Sequence, residues 1–242
     1  MQDLPEKETN QEMITSSSLY WILFIGIALA SWIVSASLKR KFEKYSHEEL
    51  GMTGAQVAQK MLRDNGIMDV QVTCIPGQLT DHYNPATKTV NLSEDVYHGA
   101  NVAAAAVAAH ECGHAVQHER AYAPLQLRSA LVPVVSVSSK WVTWIILAGL
   151  LLLGTNAGQM FLLAGIVLYA MITLFSLITL PVEVNASQRA VEWLQEAGIT
   201  DNHTTQMASD ALHSAAYTYV VAALSALATL IYYILIFLGN RR

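Results

Sequence analysis

Apolar residues dominate four stretches of the chain: Leu19 to Ser37, Val132 to Leu153, Met160 to Leu180 and Ala216 to Leu238. Each approaches or reaches the ~20 residues that carry an α-helix across a hydrocarbon core. The second is the softest, because Lys140 lies inside it and Trp141 to Leu153 alone is thirteen residues long. A lysine that close to an end can snorkel to the interface, so a span remains. The turn-rich GTNAGQ between the second and third stretches predicts a tight hairpin that returns the chain to the side it left.

This pattern divides the chain into an acidic N-terminal tail (1–18), a first transmembrane helix (19–37) and a long polar segment (38–131). A transmembrane hairpin (132–180), a second polar segment read as a helix (181–215), a last transmembrane helix (216–238) and a short tail (239–242) follow. Within the first polar segment, TGAQVAQKMLRDN (53–65) sets Val57, Met61 and Leu62 at helical spacing, with Gly66 as a stop. Val70, Val72 and Cys74 then alternate with polar residues as a half-buried strand does, and Pro76-Gly77 ends the run. LTDHYNPATKTVNLS reads as two short strands around a turn at Asn84-Pro85. Asn101 can cap the next helix, which runs through AAAAVAA into HECGHAVQH.

Composition agrees with the pattern. The 242 residues are 53% hydrophobic and 14% charged, with a mean hydropathy of +0.33, too apolar for an ordinary soluble domain. The formal charge of -5 comes without a basic, aromatic-laced stripe, which argues against a nucleic-acid partner. Lys39, Arg40, Lys41 and Lys44 directly follow the first span, and the positive-inside bias therefore puts residues 38–131 in the cytoplasm. Arg241 and Arg242, after the fourth span, pull the other way and are outweighed by the larger cluster. Residues 1–18 lack the basic start of a cleaved signal peptide, so the first span reads as a retained anchor in a multi-pass cell-membrane protein. The two cysteines, Cys74 and Cys112, imply no disulfide framework and fit a reducing compartment.

The chemistry lies in His110-Glu111-Cys112-Gly113-His114. Residues four apart on a helix stand one above the other, so both imidazoles can converge on one zinc ion, with Glu111 beside it as general base. Two unpaired imidazoles and a carboxylate on an Ala- and Val-flanked helix are costly without a ligand. A catalytic zinc normally takes three protein ligands. His118 is excluded as the third, since eight residues of helix put it about 12 Å from His110 along the axis. Gln117 and Arg120 stand where a metzincin pattern needs Gly and His. Glu183, in LPVEVNASQRAVEWL, is the better candidate, because the hairpin brings it back to the side of His110 and His114. Pro181 sits as a first-turn residue would, so a glutamate favoured by the helix dipole is the bland alternative. Glu192 and His213 are next in line.

These residues resemble a known family, the bacterial neutral zinc metallopeptidases of YugP type, similar in arrangement to HtpX-type membrane gluzincins. The likeness runs from about Met52 to Ala222, through LTDHYNPATKTVNLSEDVY, VAAHECGHAVQ, YAPLQLRSALVP, TLPVEVNASQRA and AAYTYVVAAL. It implies an α-helical integral membrane protein with a small α+β gluzincin-like core and about four transmembrane helices. It further implies zinc on His110 and His114, Glu111 as the catalytic residue, and Glu183 as first residue of an E-x-x-x-D pattern whose last position is here Ser187. What orients the motif histidine in place of that Asp is open. By the same analogy the strand Thr89 to Leu92 pairs with an extended substrate. His213, Tyr217 and Tyr219 are candidate donors to an oxyanion, Tyr219 matching the family's Thr-Tyr pair, although each also suits a head-group position.

The expected activity is zinc-dependent hydrolysis of peptide bonds in peptide or protein substrates, membrane proteins among them, at the surface of the lipid bilayer. A non-proteolytic membrane scaffold with a vestigial metal site is the alternative, and the complete His110, Glu111, His114 set speaks against it. A channel or transporter is disfavoured, since Lys140 is the one notable charge at depth. Substrate, oligomeric state and any activating partner are not legible.

Overall fold

A computed structural model describes the backbone of residues 4–239 and the side chains of residues 21–239. The side chains of the acidic tail, and Arg241 and Arg242, lie outside the described residues. The elements are α1 (Leu4–Tyr45), α2 (Gly54–Asp64), β1 (Gln71–Ile75), β2 (His82–Asn84), β3 (Thr89–Ser93), α3 (Glu94–His98), α4 (Val102–Glu119), α5 (Ala123–Leu151), α6 (Asn156–Glu196) and α7 (Asn202–Gly239). Among the described residues, four helices are long and apolar enough to cross a membrane: α1 from Trp21, α5, α6 and α7. The chain is thus an α-helical membrane protein with a small α+β core. It divides into two compact units, one of residues 1–33, 135–173 and 221–242, the other of residues 34–134 and 174–220.

The first unit is held by small-residue contacts of the kind that membrane helices use. A Cβ on Gly149 would stand 2.7 Å from the Leu162 nitrogen, and one on Gly165 2.5 Å from Ile146. These glycines let α5 and α6 approach closely around a core of Val142, Ile146, Leu162, Ile166 and Phe237. Gly154, at φ +94°, turns the hairpin that the GTNAGQ stretch predicts. Trp141, Trp144 and Leu163 stay exposed, as side chains facing lipid would.

The second unit is built on α4. Alanines give this helix a thin, apolar circumference, so it is buried on nearly every side, at Ala105, Ala106, Ala108, Ala109, Cys112 and Ala115 among others. The Asn101 side chain caps it by accepting from the Ala104 N–H at 2.9 Å. α2 packs on α4 through Val57, Met61 and Leu62. Its start is a capping box of Thr53 and Gln56, and its end is Gly66 at φ +75°, the stop that its sequence predicts. Fully buried Met61, Leu92 and Leu194 each contribute about 1.5–3 kcal/mol of burial. The sheet has the order β1-β3-β2, with β1 parallel and β2 antiparallel to β3. Asn84 Oδ1 accepts from the Ala86 N–H at the β2–β3 turn.

Three helix boundaries differ from expectation. Pro181 does not open a new helix: it lies inside α6, which runs unbroken to Glu196. An interior proline forfeits one backbone hydrogen bond and costs about 3 kcal/mol. That cost is outweighed by one continuous face, Val182, Glu183, Ala186, Ala190 and Leu194, all buried. Nor is 181–215 one helix. The chain breaks at Gly198, φ +65°, and restarts where Asp201 Oδ1 accepts from the Thr204 N–H at 2.7 Å. α5 also begins earlier than the apolar run it carries, with Pro124 in its first turn.

Candidate metal centre

His110, Glu111 and His114 project from α4, and Glu183 from α6 faces them. Glu183 Oε2 lies 3.3 Å from Nε2 of His110 and 3.5 Å from Nε2 of His114. The two rings are edge to face, with centroids 4.8 Å apart. The three ligand-type atoms lie within 4.8 Å of one another.

The far side of each imidazole is held by a neutral partner. His110 Nδ1 is 3.1 Å from the Ser187 hydroxyl, so the residue that stands in place of the gluzincin Asp makes the contact itself. His114 Nδ1 is 3.0 Å from Gln117 Oε1. The Gln117 amide, fully buried, donates in turn to the Val182 carbonyl at 2.8 Å and to Asn185 Oδ1 at 3.0 Å. Because Gln117 presents an acceptor, Nδ1 of His114 carries the hydrogen, and the neutral ring keeps on Nε2 the lone pair that a metal would take. Burial works against the charged form of His114, but Glu183, Glu111 and Gln117 outweigh it and hold the pKa above its ordinary value.

Glu183 is 4% exposed at the side chain, and its Oε2 makes no hydrogen bond among the described residues. A buried carboxylate oxygen left so is expensive. A cation shared with both Nε2 atoms would satisfy it. The observed 3.3 and 3.5 Å separations match the edge of a tetrahedron with metal bonds of about 2.0–2.2 Å, roughly 3.3 Å. The donor set therefore fits zinc.

Glu111 is held beside this cluster, its Oε2 accepting the Tyr83 N–H of β2 at 2.9 Å. A cavity of about 210 Å³, lined by His82, Tyr83, His118, Arg128 and Tyr219 among others, opens onto His110, Glu111, His114 and Glu183. On the opposite face of α4, Cys112 is buried and donates to the Ala58 carbonyl, and burial pushes its thiol pKa well up. Gly113 meets α6 so closely that a Cβ there would stand 2.7 Å from the Ala186 carbonyl oxygen.

Of the oxyanion candidates, Tyr219 lines the cavity. Tyr217 is exposed, and His213 lines a separate cavity together with Glu192, which also removes those two from the cluster. His118 lines the cavity, its ring 6.0 Å from that of Tyr83, but is not among the converging atoms. The expectation that Thr89 to Leu92 offers a substrate edge is corrected. β3 is the central strand, with its edges taken by β1 and β2, and β2 is the edge strand that touches the site. Gln117, read in the sequence only as a metzincin mismatch, was detectable by its i, i+3 spacing from His114. Arg128 carried no local signal in the sequence.

Comparison with known proteins bears on this arrangement. Residues 20–238 match the model of a family described as "Putative neutral zinc metallopeptidase". A relative in Bacillus subtilis (strain 168), the "Putative membrane protease YugP", is 41% identical over 226 residues, covering 91% of this chain and 99% of its own. No solved structure matches. With a match over nearly its whole length and a zinc-compatible donor set inside it, the chain belongs to this family of neutral zinc metallopeptidases.

Proposed function

We propose that the chain is a multi-pass membrane zinc metalloendopeptidase, with His110, His114 and Glu183 holding the ion and Glu111 acting as general base. The observation that carries this reading is the convergence of two oriented Nε2 atoms on a buried carboxylate oxygen that has no hydrogen bond among the described residues. When bound, zinc supplies a Lewis acid that polarises the scissile carbonyl and acidifies water.

The chain's own residues do the rest. Ser187 and Gln117 keep the imidazoles facing inward. The Tyr83 N–H steers one oxygen of Glu111 and leaves the other to take a proton from the attacking water and return it to the leaving amine. An extended peptide or protein substrate adds to the sheet at β2. The basic cluster after the first span supports a cytoplasmic place for this face.

The test uses the full chain, purified in detergent, with casein as probe. Hydrolysis should stop on chelation and return with zinc. Glu111→Gln should keep the metal and lose about 10²-fold or more of the rate. Stoichiometric zinc without casein hydrolysis would favour a scaffold that keeps a vestigial metal, and equal turnover by the variant would remove Glu111 from the mechanism.

A further inference from the structure

Arg128, on α5, lines the cavity beside Glu183 and keeps one buried donor unused among the described residues. Its terminal Nη2 stands 3.9 Å from Glu183 Oε1, beyond the 2.7–2.9 Å of a charge-assisted hydrogen bond. Its Nε is buried and makes no hydrogen bond among the described residues. An arginine placed to hold Glu183 would form the two parallel bonds that its fork allows, and this one does not. Instead its guanidinium rests over the Phe175 ring at 5.8 Å and lines the cavity with Glu111 and Tyr219. A buried donor without an acceptor is costly, so the arrangement calls for an acceptor that arrives with the substrate.

Resting on the peptidase reading above, we propose that Arg128 is a catalytic residue that donates hydrogen bonds to the oxyanion of the tetrahedral intermediate. In that step the water oxygen bonds to the carbonyl carbon, the carbonyl electron pair moves onto oxygen, and Glu111 takes the water proton. On collapse the C–N bond breaks and the amine leaves with that proton. A guanidinium donates hydrogen bonds without surrendering a proton, so Arg128 stabilises the charge and plays no part in proton transfer. Tyr219, which lines the same cavity, can serve as a second donor.

The experiment compares wild type, Arg128→Met and Arg128→Lys for zinc content, for kcat and KM on a fluorogenic casein-derived peptide, and for affinity toward a phosphinic peptide, a tetrahedral anionic mimic. Arg128→Met should keep its zinc, lose about 10²–10³-fold in kcat with little change in KM, and lose phosphinic affinity by the factor lost in kcat/KM. Arg128→Lys, which keeps a point charge, should recover part of both losses. Unchanged kcat, a loss that tracks loss of zinc, or a fall in KM-type binding alone would overturn the assignment while leaving the peptidase reading intact. Absence of chelator-sensitive hydrolysis in the wild type would overturn both.

Discussion

Gly113→Ala adds a single methyl group to the middle of the HExxH motif without touching a ligand. That methyl would sit 2.7 Å from the Ala186 carbonyl oxygen and 3.2 Å from its Cα. Ordinary contact begins at 3.4 Å, so α4 and α6 must part by about 0.7 Å. Both neighbours are backbone, which no rotamer change relieves. Glu183 lies one turn before Ala186 on α6, so the parting opens the gap between Glu183 Oε2 and the two Nε2 atoms. Metal sites tolerate about 0.2 Å. Overpacking of this kind costs about 1–3 kcal/mol. If the bound ion pulls the helices back against that strain, zinc affinity falls about 5- to 150-fold. Competition with a fluorescent zinc chelator on detergent-solubilised protein measures it. Gly51→Ala is the control, since nothing lies within 4 Å of its added Cβ. Wild-type zinc affinity in Gly113→Ala would show that helix spacing does not govern the site.

Three further outcomes follow from the same geometry. Glu183→Ala should lose zinc on washing with a mild chelator and lose all activity, whereas Glu119→Ala should do neither; equal zinc occupancy in wild type and Glu183→Ala refutes the ligand assignment. Ser187→Ala should weaken zinc binding about 10-fold or more, as removal of a histidine-orienting partner usually does, and Ser187→Asp should retain it; an unchanged affinity in the alanine variant would make the 3.1 Å contact with His110 incidental. Cys74 is exposed and Cys112 buried, so an impermeant thiol reagent should label Cys74 only once cells are opened and Cys112 only after denaturation. Labelling of Cys74 in intact cells would invert the orientation.

Local signals in the chain were read well where local physics decides the outcome. Gly66 stops α2 by a positive φ that its own residue type allows, although the capping box of Thr53 and Gln56 at the other end is seen only in the structure. Asn101 caps α4 through a near neighbour, and the i, i+4 spacing of His110 and His114 needs only helix geometry. Glu183 came within reach through the hairpin, a topological argument. What escaped depends on partners far along the chain. The penalty of Pro181 is overridden by burial of the α6 face against other helices, which no window around residue 181 contains. Strand order is a property of pairing, so the central place of β3 was invisible in its own alternation. Ser187 could be noted as a missing Asp, but not that its hydroxyl reaches His110, seventy-seven positions away.

The Gln117 amide leaves position 117 almost no freedom to drift. One end must offer an oxygen to a ring N–H and the other must offer hydrogens to the Val182 carbonyl and Asn185 Oδ1. Glutamate would turn acceptors toward acceptors, lysine would have nothing to give His114, and methionine or leucine would fill the volume and serve neither end. Among side chains of that reach, only glutamine reads correctly in both directions. A residue that makes no contact with the ion is thereby as narrowly specified as the histidine it supports.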